Sequence, residues 1–140
     1  RLRPAWKRSA SWLRIDMTYA RRLTVSVTTA ADGSATAYSD PIDYGMLSQV
    51  RYVKTDFADA STFTITSEAT GETLWTETGV NASATRAPRQ PTHSTAGAAA
   101  LYAAAGNAVN DKIAIANDRI KIVIASGGAT KTGVFYFLMV

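Results

Sequence analysis

His93 is the only histidine in the chain and cysteine is absent, so nucleophilic catalysis has little to work with. A Ser or Cys triad needs a nucleophile, a positioned base and an orienting group. The one imidazole stands in Pro91-Thr92-His93-Ser94-Thr95, a polar stretch where an exposed loop residue is expected. Metal binding would fall to oxygen ligands alone. Asp56 and Asp59 stand close together in Thr55-Asp56-Phe57-Ala58-Asp59, and Glu68, Glu72 and Glu77 lie along a hairpin pattern. None of them has the spacing of a calcium loop, and they read as solvated carboxylates at turns and strand edges. Gly127-Gly128-Ala129-Thr130-Lys131-Thr132-Gly133 superficially matches a phosphate loop. The match fails, because Thr130 precedes Lys131 where that loop needs Gly, and a strand pattern follows in place of a phosphate-gathering helix N-terminus. It reads as a β-hairpin connection. Two carboxylates across a cleft, as in a glycosidase, find no positive support in the spacing. No catalytic, cofactor or metal residue is assigned, and an enzyme is the least expected class.

Charge and aromatic residues are more informative. The chain carries 15 Lys+Arg and 11 Asp+Glu, a net charge of +4. Residues 1–22 hold Arg1, Arg3, Lys7, Arg8, Arg14, Arg21 and Arg22 against Asp16, which is 7 − 1 = +6, while the remainder is 8 − 10 = −2. The basic character therefore belongs to the N-terminal segment and not to the body. Trp6 and Trp12 are interleaved with Arg8 and Arg14 there, without helical or strand period. Residues 1–18 read as an extended basic arm that orders only against something else, and residues 19–140 as a single domain. The arm has two chemical uses. It can run across an acidic protein surface with its tryptophans as anchors, or neutralise phosphates while the indoles stack on single-stranded nucleic acid; nucleic acid is the weaker reading. A plain disordered tail is the third. Met17-Thr18-Tyr19-Ala20 would make an ordinary protein start, so residues 1–16 are either an extension or the remnant of a longer N-terminus.

Membrane association is not expected. The longest apolar run, Ala98 to Ala105, is far short of the roughly 20 residues of a spanning helix, and the Arg-rich start is not followed by a signal-peptide apolar region.

The elements that would position these residues are strands. Leu23, Val25 and Val27 alternate with Thr24, Ser26 and Thr28, placing apolar groups on one face and hydroxyls on the other. Ala31-Asp32-Gly33-Ser34 supplies a hairpin turn, with Ala35 to Tyr38 returning. Asp40-Pro41 breaks the pattern ahead of a strand over Met46 to Lys54. Ser61 to Glu77 is the clearest hairpin: Phe63 and Ile65 alternate with threonines, Thr70-Gly71 turns, and Thr73 to Thr76 returns. Gly79 to Gly97, polar and carrying Pro88 and Pro91, reads as a long surface loop. In Ala98 to Ala108 the alanines favour a helix ended by Gly106-Asn107, in competition with extended chain. Strands follow over Lys112 to Ala116, Arg119 to Ala125 and Gly133 to Val140. The last is apolar on both faces, which places it in the middle of a sheet or under a partner chain.

Many short strands with regular turn signals predict an all-β, two-sheet β-sandwich, jelly-roll-like, with an immunoglobulin-like arrangement as the alternative. Trp75, at the end of the best strand, is expected in the core or at its rim.

Arg51-Tyr52-Val53-Lys54-Thr55-Asp56-Phe57-Ala58-Asp59, Phe63-Thr64-Ile65-Thr66, Glu68 to Trp75 and Lys121 to Ala125 resemble stretches of the cement, or decoration, proteins of tailed-bacteriophage heads. The resemblance spans about Met17 to Val140 and rests on strand and turn sequences. It implies a non-enzymatic jelly-roll protein on the outer surface of an icosahedral shell, tying neighbouring capsomers together. The implied partners are the major capsid protein and further copies of the chain, as a homodimer or trimer, with no cofactor. On that reading Trp6, Arg8, Trp12 and Arg14 reach over a neighbouring subunit, and Phe135 and Phe137 serve the core or subunit pairing. The rival readings are a tail, fibre-base or head–tail joining protein, and a carbohydrate-binding β-sandwich using Trp75 or the 79–97 loop.

Overall fold

The computed structural model describes residues 20–140. The strands are β1 (Arg21–Thr28), β2 (Ala35–Tyr38), β3 (Ile42–Lys54), β4 (Ser61–Ser67), β5 (Thr73–Val80), β6 (Ala84–Arg86), β7 (Gln90–Pro91), β8 (Asn110–Asp111), β9 (Ile113–Asp118), β10 (Ile120–Ala125) and β11 (Thr132–Met139). One sheet runs β1-β11-β3-β6, with β9 also on β3; the other runs β2-β10-β4-β5. All the pairings are antiparallel.

β6 and β9 are one interrupted strand. Val50 of β3 faces Phe137 of β11 on one side and Arg86 of β6 on the other; Leu47 faces Met139 and Ile113 in the same way. Both β6 and β9 thus lie along the edge of β3 away from β11 and run in the same direction. Counting them as one position leaves eight, ordered first-eighth-third-sixth in one sheet and second-seventh-fourth-fifth in the other. That is the jelly-roll arrangement of two Greek keys. An immunoglobulin-like sandwich would keep its first two strands in one sheet, whereas β1 and β2 lie in different sheets.

Period-two patterning builds the core. Val25 and Val27 on β1, Phe63 and Ile65 on β4, Ile120, Ile122 and Ile124 on β10, and Phe135, Phe137 and Met139 on β11 all point inward and are buried. Aromatic rings bridge the sheets: Phe63 lies 4.7 Å from Tyr52, 5.1 Å from Phe135 and 5.5 Å from Trp75 between centroids, each pair edge-to-face. Such contacts add about 0.5–1.5 kcal/mol per pair beyond area burial. β11 is central, hydrogen-bonded to β1 on one edge and β3 on the other. Phe135 and Phe137 are fully buried inside the chain, so they serve the core; neither side chain nor strand edge is open to a partner subunit.

Two local expectations are corrected, and the competition between helix and extended chain over residues 98–108 is decided. The Asp32-Gly33 turn and the Gly127–Gly133 segment are not hairpins within a sheet; each carries the chain from one sheet to the other. Glycines are needed there because the loops touch. Gly127 N–H donates to Gly33 O at 2.9 Å, and a Cβ on Gly127 would lie 2.8 Å from Thr29 Cγ2. Residues 98–108 form no helix. They take part in paired turns joined by bridges His93 to Ala99 and Leu101 to Ala108.

Candidate interaction surface

Four of the five carboxylates singled out above, Asp56, Asp59, Glu68 and Glu77, pair with a cation or accept hydrogen bonds from another strand or loop. Asp56 accepts from Thr132 N–H and Oγ1, which holds its carboxyl below the usual range. Asp59 pairs with Lys54. Glu68 forms a two-point ion pair with Arg119, whose guanidinium lies 4.1 Å from the Tyr38 ring centroid. Glu77 accepts from Arg86 Nη2 at 2.6 Å, Arg86 Nε at 2.8 Å and Trp75 Nε1 at 2.9 Å. The Arg86 hydrogen bond, offset by burial and aided by Trp75, holds the Glu77 carboxyl low. Trp75 is buried, packed on Phe63 and Phe135 and covered by Arg86, so no face of the indole lies open to a sugar ring. His93 is exposed. Among the described residues no three His, Asp or Glu side chains gather as metal ligands, and no helix is long and apolar enough to cross a membrane. Trp6, Arg8, Trp12 and Arg14 lie outside the described residues.

The unusual element is the insertion between β6 and β9. Arg86 faces Val50 and Ile113 faces Leu47, so only Ser48 and Gln49 of β3 separate the two points. Residues 87–112 loop out between them. The segment contains no fully buried residue, yet its backbone is closed on itself. Thr92 N–H donates to Val109 O at 2.8 Å, Val109 N–H to Ala100 O at 2.9 Å, and Ala100 N–H to Thr92 O at 2.9 Å. This three-way ring ties two tight turns, Ser94–Ala98 and Tyr102–Asn107, to the short β7–β8 ribbon. Arg89 Nη1 fastens the base to Ser48 O at 3.0 Å. The ring and the Tyr102–Asn107 turn, where Tyr102 N–H donates to Asn107 O and Gly106 N–H to Ala103 O, hold the segment in a non-helical path, so the alanines' helix preference is overridden. At the second turn Leu101 and Tyr102 project, Tyr102 being 76% exposed.

The outer faces of the two sheets differ in chemistry. On the β2-β10-β4-β5 sheet, Thr62, Thr64 and Thr66 of β4 lie beside Val123 and Lys121 of β10, a mainly hydroxyl surface. On the other sheet the register builds three rows across β1, β11 and β3. Arg22, Leu138 and Gln49 form the first; Thr24, Tyr136 and Arg51 the second; Ser26, Val134 and Val53 the third. Val134, Tyr136 and Leu138 make a half-buried apolar column at its centre. Arg22, Gln49, Arg51, Val53, Tyr136 and Leu138 line an open depression of about 340 Å³. Arg51 Nη1 donates to Thr85 Oγ1 at 2.9 Å and is held over this face.

Comparison of the chain with protein-family models, curated proteins and solved structures finds no match.

Proposed function

We propose that the chain is a non-enzymatic structural protein of a bacteriophage virion, a decoration protein that binds the outside of the assembled head and ties neighbouring capsomers together. The observation that carries this reading is the 87–112 insertion. It interrupts a sheet strand, adds no buried side chain to the core and is nevertheless closed by its own hydrogen bonds, so its ordering serves contact with something outside the chain. The resemblance of the 51–59, 63–66, 68–75 and 121–125 stretches to head-decoration proteins supplies the partner class: the major capsid protein, and further copies of the chain. The physical logic is linkage. A ligand that binds the assembled shell and not free subunits stabilises the shell, and repetition over many sites makes modest contacts large in total.

The test uses shells assembled from the major capsid protein of the same phage, prepared without this chain. Adding the chain is expected to raise the temperature at which shells fall apart while leaving the melting of free capsid subunits unchanged. No rise, or an equal effect on free subunits, would overturn the reading.

A further inference from the structure

Resting on that decoration reading, we infer that the outer face of the β1-β11-β3 sheet is the docking face, and that its partner is an acidic protein surface with an apolar ridge.

The asymmetry of the sandwich selects the face. An outward side chain on a solvated sheet face is ordinarily polar. β4 obeys this with Thr62, Thr64 and Thr66, whereas the outward side chains of β11 are Val134, Tyr136 and Leu138. An apolar column on a central strand is what an interface core requires, and its surroundings are those of a rim: Thr24 and Ser26 on one side, Gln49 on the other. Tyr136 and Arg51, adjacent in register, belong to the residue types that dominate binding energy at such centres.

Charge selects the occupant. The outward positions of these three rows carry two guanidiniums, Arg22 and Arg51, and no carboxylate. Two copies stacked by this face would bring those guanidiniums together. The chain's own residues 1–19 hold five basic side chains against Asp16 alone, so they are repelled as well. A partner bearing carboxylates opposite Arg22 and Arg51, with apolar side chains over Tyr136 and Leu138, satisfies both demands, and Arg offers carboxylates a two-point grip. Nucleic acid fits less well: the column is mostly aliphatic, and residues 23–140 are net negative, 8 − 10 = −2, where a phosphate-tracking surface gathers many cations.

The experiment measures binding of the chain to the same chain-free shells. The variants are Arg22→Glu/Arg51→Glu and Thr24→Glu, the second placing a carboxylate beside Tyr136 without touching either arginine. Thr64→Glu on the opposite sheet is the control, and melting curves verify that each variant folds. Both docking-face variants are expected to bind at least about tenfold more weakly, since like charges brought opposite an acidic surface oppose binding, while Thr64→Glu binds as the parent does. Parent binding with undiminished binding of the docking-face variants would overturn this inference alone. Absence of parent binding would overturn the decoration reading and the inference with it. Tight, steeply salt-dependent binding of a single-stranded oligonucleotide, abolished by Arg22→Glu/Arg51→Glu, would reassign the face to nucleic acid.

Discussion

Gly133 and Phe57 share one space: a Cβ on Gly133 would lie 2.7 Å from Phe57 Cε2. Phe57, from the loop between β3 and β4, is 2% exposed and closes one end of the sandwich, 5.9 Å from the Tyr52 ring. The glycine in β11 is what lets the ring lie flat on the strand.

Gly133→Ala is therefore expected to destabilise the domain. Overpacking costs about 1–3 kcal/mol, partly offset by the roughly 0.5–1 kcal/mol that Ala gains over Gly in a strand. Phe57→Ala should cost about 3–5 kcal/mol. Because the methyl added at position 133 would grow into the space the ring leaves, the double variant should lose less than the sum. Denaturant titration of the four proteins measures this, and strict additivity would contradict the shared space.

Acid should loosen the end of the sandwich opposite Phe57. Burial raises the Asp118 carboxyl, but hydrogen bonds from Ser67 Oγ, Ala69 N–H and Arg119 N–H outweigh it and hold the group below its ordinary value. A carboxyl depressed in the folded state contributes stability above its unfolded pKa of about 4, and that contribution fades as pH falls through the folded value. Asp118→Asn should lower stability at neutral pH and flatten its decline below about pH 4. Melting temperatures measured from pH 7 downward decide it; parallel curves for parent and variant would contradict the assignment.

The alkaline side has a separate reporter. Burial, aided by the negative charge of Asp56, pushes the Tyr52 hydroxyl up to about 12. An acid whose pKa is raised on folding favours the folded state below its unfolded pKa of about 10, and that stability is lost between there and the folded value. Tyr52→Phe should remove this part of the alkaline loss, seen as a shallower decline of stability between about pH 10 and 12.

The insertion should be separable from the sandwich. Joining Arg86 to Ile113 through two glycines, opposite Ser48 and Gln49, removes residues 87–112. Shortening the connection from 26 residues to two lowers its closure cost by about 2 kcal/mol, against which stands the loss of the Arg89 tie to Ser48 O, so the melting temperature is expected to hold or to rise by several degrees. Binding to shells should fall by about tenfold, in line with the loss of one contact region. A variant that unfolds would give the insertion a folding role, and one that binds fully would remove it from the interface.

Strands were legible wherever one face is buried and the other is not: β1, β4 and β10 alternate residue by residue, and the β4–β5 hairpin carries its own turn. Sheet membership was not legible. Asp32-Gly33 and Gly127-Gly128 announce that the chain reverses, but positive φ at a glycine says nothing about whether the next strand pairs with the last or crosses to the other layer. β6 leaves no mark in the sequence, because three residues with one apolar member, Ala84, give no period. The insertion's order leaves none either, because it comes from backbone hydrogen bonds among Thr92, Ala100 and Val109, which no side-chain pattern encodes. The docking face left one trace, the apolarity of both faces of β11. Which residues stand beside Tyr136 depends on the register of β1 and β3, a property of the fold.

The proposed position on the head of a particle is tested most directly by copy number. On the decoration reading the chain is encoded by a tailed phage, and purified particles of that phage, separated on a gel, give the ratio of this 14.9 kDa chain to the major capsid protein. A decoration protein repeated over the whole shell predicts a ratio near one-to-one, whereas a ratio below about one in ten, or absence from the particle, would contradict it.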